Sequence, residues 1–174
     1  IRGVSHVARG EVREGLDDLE AARELARTSD SVMLRYRVNA SDVMTLLGRY
    51  EDAIGIGEAG TRRARELGVE RTSGAMLFSN TVEALLALGD WKRAEALLGP
   101  ALALDAPPGF RVHLQRMRLW LSVWKGEVST AVDLVRGWRG GMLVQSEIEM
   151  QSRLGFARVD AEIALAQGDL ESAW

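Results

Sequence analysis

"LLALGDWKRAEALLGPALALDAP", residues 85–107, decides the fold. Leu85, Leu86 and Leu88 close one helical run that includes Leu77, and Leu97, Leu98, Leu102 and Leu104 recur at helical spacing in the next. Between them stand Gly89 and Asp90. A glycine just past a helix takes the left-handed backbone without steric cost, and a carboxylate beside it suits the N-terminus of a new helix. The chain therefore turns back on itself, and the stretch is a helical hairpin. Asp105 and the prolines that follow it make a loop after the hairpin, and Pro100 is expected to kink or briefly break the second helix.

The turn recurs. "GEVREG" (10–15), "GRYEDA" (48–53), "GDWKRA" (89–94), "GEVSTA" (126–131) and "GDLESA" (168–173) share one pattern: glycine, a polar residue, an apolar or aromatic one, two polar residues, then Ala or Gly. The glycines are 38, 41, 37 and 42 residues apart, the length of two helices and two turns. Small Ala53, Ala94, Ala131 and Ala173 are expected to let the second helix approach the first, with Tyr50, Trp91, Val128 and Leu170 as apolar wedges at the corners. The spacing predicts an all-α fold, a right-handed superhelical solenoid of about five degenerate hairpins. All 174 residues read as one helical-repeat domain with turn glycines Gly10, Gly48, Gly89, Gly126 and Gly168.

Against this stands "AIGIGEAGTRR" (53–63), in which Gly55, Gly57 and Gly60 have the spacing of a dinucleotide-binding loop. That fingerprint requires a buried strand before it, a helix N-terminus at it and an acidic residue about 20 positions on. Here Gly48, Arg49, Glu51 and Asp52 occupy the strand's place, and the position 20 beyond Gly60 is Asn80. Ala53, Gly57 and Gly60, spaced i, i+4, i+7, instead line one face of a helix. Because a helical glycine costs about 1 kcal/mol relative to alanine, such a face implies close packing against a neighbouring helix. Gly55 points elsewhere.

Composition narrows the chemistry. The chain has no cysteine and two histidines, His6 and His113, without metal-ligand spacing, so neither a disulfide framework nor a metal centre is expected. A formal net charge of −3 carries no nucleic-acid footprint. No apolar run approaches the roughly 18 residues that span a bilayer, and "IRGVSHVARG" (1–10) lacks the apolar core of a signal peptide, so the expected compartment is the cytoplasm. The pairs Asp17–Asp18, Glu51–Asp52 and Glu147/Glu149 diverge on a helix, and Ser5, Ser31, Ser73 and Ser146 lack the nucleophile elbow, so no catalytic residue and no cofactor is expected. "FRVHLQRMRLW" (110–120) is the most basic stretch, yet Arg116 diverges from Arg111 and Arg118, as in an ordinary amphipathic helix.

The hairpin at 85–107 resembles a tetratricopeptide repeat, with Gly89, Asp90, Trp91, Ala94 and Ala101 on that family's turn and small-residue positions. Asn39 and Asn80, each nine residues before a turn glycine, match its preferred asparagine. The spacings exceed the 34 residues of ordinary repeats. Longer hairpins such as "LLGRYEDAIGIGEAGTRRARELG" (46–68) and "NTVEALLALGDWKRAEALL" (80–98) are most similar to the helical-repeat region of MalT-like and LuxR-family ATPase transcriptional regulators of high-GC actinobacteria. In those proteins an ATPase module precedes the array and a DNA-binding helix-turn-helix follows it. Neither motif occurs in the 174 residues, so the resemblance implies a piece of a larger protein, flanked in its parent chain by those modules and making no direct nucleic-acid or membrane contact. The last phrase ends before its second helix, which is expected to leave Ile163 and Leu165 uncovered and to promote self-association.

The resemblance further implies that residues 13, 10, 6 and 3 before each turn glycine line a concave groove. These are Arg35, Val38, Asp42 and Thr45; Met76, Ser79, Glu83 and Leu86; His113, Arg116, Trp120 and Val123; and Gly155, Arg158, Glu162 and Leu165. The polar and aromatic members, Arg35, Asp42, Glu83, His113, Arg116, Trp120, Arg158 and Glu162, form the expected binding surface for a peptide, a protein segment or a small effector. The centre of that surface is expected at His113, Arg116 and Trp120, with Arg158 and Glu162 opposite, since buried-edge aromatics and arginine carry much recognition energy. The competing reading places Trp120 in the core beside Trp124. In function the chain reads as a non-catalytic binding and coupling region of such a regulator, the alternative being an interaction scaffold or adaptor without a transcriptional role.

Overall fold

The computed structural model describes residues 2–142 and 150–173, with side chains described outside 138–156. Among the described residues there are nine α-helices and no strands. They are α1 (Arg2–Ala8), α2 (Val12–Ala26), α3 (Asp30–Leu46), α4 (Tyr50–Glu66), α5 (Ala75–Ala87), α6 (Trp91–Ala103), α7 (Pro108–Trp124), α8 (Val128–Met142) and α9 (Met150–Gln167), with a π-helical turn at Glu70–Gly74 leading into α5. No helix among the described residues is long and apolar enough to cross a membrane.

Every expected turn glycine is left-handed: φ is +84° at Gly10, +72° at Gly48, +77° at Gly89, +79° at Gly126 and +77° at Gly168. Each closes its helix the same way. The amide of the residue after the glycine bonds back to the carbonyl five residues earlier: Glu11 to His6 at 2.9 Å, Arg49 to Met44 at 2.8 Å, Asp90 to Leu85 at 2.9 Å, Glu127 to Ser122 at 2.8 Å and Asp169 to Ala164 at 2.9 Å. Asp90 and Asp169 then cap the following turn, accepting from the amides of Arg93 and Ser172. A sixth turn of this kind lies at Gly68 (φ +70°), where the amide of Val69 bonds the Ala64 carbonyl at 2.9 Å.

The residues form two compact units, 1–111 and 112–174, where the sequence reads as one domain. In the first unit α1–α2, α3–α4 and α5–α6 are packed hairpins. Each second helix packs on the next hairpin, α2 on α3 and α4 on α5, and the first helices touch, α1 with α3 and α3 with α5. Ala53 and Ala94 are fully buried, as is Ala131 in the second unit, so the small position does permit close approach. Of the wedge positions, Tyr50 and Val128 are half-buried, whereas Trp91 is 39% and Leu170 65% exposed.

The glycine face of α4 meets α5 directly. A Cβ at Gly57 would run into the Thr81 hydroxyl, and one at Gly60 would lie 2.8 Å from both Leu77 methyls, whereas Gly55 faces open space. These glycines sit inside α4 rather than at a helix N-terminus. A buried polar contact adds to the same region. Asn80 donates from Nδ2 to the Val38 carbonyl and to Ser41 Oγ, both at 2.9 Å, tying α5 to α3. Helix α6 runs through Pro100 without the expected break. Pro100 stands three residues before the helix end at Ala103, and the Ala96 carbonyl deprived of a donor belongs to an exposed residue, open to solvent. Ile163, expected to be uncovered, is buried at 8% exposure, while Leu165 is 53% exposed.

Candidate functional site

The spacing of α7 puts Arg116, Trp120 and Trp124 one turn apart on a single stripe, and that of α9 does the same for Arg158 and Glu162. The two stripes meet in the second unit. Trp120 and Trp124 stack with ring centroids 6.2 Å apart and planes inclined by 5°. Over the Trp120 ring lie two guanidinium groups, Arg158 at 4.4 Å and Arg116 at 5.2 Å from the centroid. Glu162 closes the cluster: its Oε1 accepts from Arg158 Nε and its Oε2 from Trp124 Nε1, both at 2.9 Å. The arrangement clasps α7 to α9 through one carboxylate, two indoles and two cations.

This clasp corrects the sequence reading of Trp120. Its residue is 3% exposed, and neighbours Leu119 and Leu121 are likewise buried. The indole Nε1 is buried without a hydrogen-bond partner. A ring enclosed in this way offers no face to a ligand, so Trp120 belongs to the interior. The stripe indicated that Trp120 points along one side of α7; which helix covers that side was not in the local pattern. Trp124, not included in the expected surface, is the residue that links Glu162 to the stack. Its signal was the four-residue spacing from Trp120.

The other expected residues fall into place separately. Arg35 and Asp42 are exposed on α3 and Glu83 is half-buried on α5, all in the first unit. His113, half-buried on α7, has its pKa lowered to about 4 by burial and by the nearby Arg116 charge, so it is a neutral imidazole at neutral pH. Such a ring is too weak a base for proton abstraction near pH 7. The structure brings Arg116, Trp120, Arg158 and Glu162 together. Other groove positions are interior: Ser79, Leu86 and Val123 are buried, and Val38 packs on the cluster of Leu34, Ala64 and Leu77. Gly155, Ser146, Glu147, Glu149 and Trp174 lie outside the described side chains.

Among the described residues no group of three His, Asp or Glu side chains could hold a metal ion. Comparison with protein-family models, curated proteins and solved structures gives no match.

Proposed function

We propose that the chain is a right-handed solenoid of tetratricopeptide-like hairpins, serving in the cytoplasm as a non-catalytic partner-binding and coupling region of a bacterial LuxR-family transcriptional regulator. The observation that carries this reading is the recurrence of one turn geometry at Gly10, Gly48, Gly89, Gly126 and Gly168, combined with the neighbour-to-neighbour packing of the hairpins in the first unit. Stacked hairpins with nearest-neighbour contacts are soft along their axis, so a partner that engages several of them alters curvature and repositions whatever flanks the array. Recognition is assigned to the first helices of the first unit, where Arg35 and Asp42 are exposed and Glu83 is half-buried. Their mixed charge suits a peptide or protein segment better than an extended polyanion.

The encoding reading frame tests the regulator assignment. An ATPase phosphate-binding loop upstream and a helix-turn-helix downstream support it. A frame carrying neither refutes it and leaves the interaction scaffold. In the full-length protein, reversing the charge of Arg35 should reduce partner-dependent transcriptional output while leaving the thermal stability of the array within about 0.5 kcal/mol.

A further inference from the structure

Residues 104–107 connect α6 to α7, and within them Asp105 has a left-handed backbone, φ +48°, the sole non-glycine case among the described residues. An L-residue is disfavoured there, although Asp tolerates the conformation better than most. It is held from two sides. Arg71, in the π-helical turn between the second and third hairpins, donates Nε at 3.0 Å and Nη2 at 2.6 Å to the Asp105 backbone carbonyl. Arg111, in the first turn of α7, donates Nη1 to Asp105 Oδ1 at 3.1 Å. Arg71 and Asp105 are 34 positions apart and belong to successive joints of the chain, separated by the whole third hairpin, and both lie in the first compact unit.

The two joints stand at opposite ends of the α5–α6 hairpin, which in a repeat array communicate only through the packing of that hairpin and its neighbours unless a direct contact joins them. We propose that Arg71 is a strap that makes these two joints act as one: the fork of a single guanidinium holds the second joint in its left-handed turn, and releasing that turn loosens the first joint in return. The strap is a conformational coupling device along the array. Its side chains are largely exposed, at 60% for Arg71 and 76% for Asp105, so screening by salt weakens it.

Native-state amide exchange on the intact chain tests the coupling. The first joint is read at Thr72 and Gly74, both bonded to the Val69 carbonyl, and the second at Phe110 and Arg111, both bonded to the Pro107 carbonyl. Asp105→Ala should speed exchange at the second joint and, through Arg71, at Thr72 and Gly74, by roughly fivefold or more, the loss of one charge-assisted bond. In an Arg71→Ala background the same substitution should no longer change Thr72 and Gly74, because the coupling has been removed. Arg71→Lys should behave like Arg71→Ala, since an ammonium cannot reproduce the fork. If Asp105→Ala prevents folding, Asp105→Asn, which tolerates the same backbone, should give a smaller effect of the same sign. Indifference of Thr72 and Gly74 to the Asp105 variants, or an effect on them that persists without Arg71, overturns the proposal.

Discussion

The α4–α5 seam and the α7–α9 clasp join helices of successive hairpins by opposite means. In the seam, contact is gained by removing side chains. Gly57 and Gly60 let α4 lie against Leu77 and Thr81, and the threonines turn their hydroxyls onto their own helices, Thr61 to the Gly57 carbonyl at 2.9 Å and Thr81 to the Leu77 carbonyl at 2.7 Å. In the clasp, contact is gained by filling space with two indoles and by pairing charges around them. The difference shows that the repeated feature is the turn, with its glycine and small residue, while the surface between hairpins is solved anew each time. A seam built from absent side chains fails when atoms are added; a clasp built from aromatics fails when atoms are removed.

The largest effect is expected at the centre of the clasp. Trp120→Ala should destabilise the second unit by about 3–5 kcal/mol, the cost of emptying a large buried site, read from urea unfolding; a loss below 1 kcal/mol would show that the indole is not enclosed. In the seam, Gly57→Leu should cost about 1–3 kcal/mol through overpacking, and dinucleotides such as NAD should leave the melting temperature unchanged. A saturable shift with such a nucleotide would restore the cofactor reading of the glycine motif. Glu162→Gln keeps an acceptor for Trp124 but discards the charge facing Arg158, so the expected loss is about 1 kcal/mol or less, reduced further in high salt.

The same contrast marks what was legible in the sequence. The five turn glycines were readable because a left-handed residue after a helix has a strong chemical preference, and the phrase around each one repeats. Gly68 escaped because "ELGVE" (66–70) puts apolar Val69 where the repeated phrase has a polar residue, and it leads into a π-helical turn. The glycine seam was readable from i, i+4, i+7 spacing alone. The clasp was half-readable: spacing aligned Arg116 with Trp120 and Arg158 with Glu162, but the enclosure of Trp120 depends on α9, about 40 residues later in the chain, and local periodicity carries no information on that pairing. Groove positions such as Ser79 and Leu86 were misplaced for the same reason.

His113 has a folded pKa of about 4, below the unfolded value of about 6.5, so protonation favours the unfolded chain. Stability should be fullest above pH 6.5 and fall as the pH drops toward 4, and His113→Gln should flatten that part of the profile. A wild-type profile identical to that of the variant would show that the ring is not desolvated. Gly55→Ala, on the open side of α4, should stabilise the protein by about 0.5–1 kcal/mol, opposite in sign to any enlargement at Gly57. A loss at Gly55 would mean that this side of α4 is also packed.

That left-handed glycines close the hairpins is checked most simply by Gly48→Ala and Gly89→Ala, two turn positions with φ of +72° and +77° and open space around them. Each substitution should lower stability in urea unfolding by about 1–2 kcal/mol, the cost of holding an L-residue in the left-handed region. Unchanged stability in both variants would show that the turns do not depend on glycine.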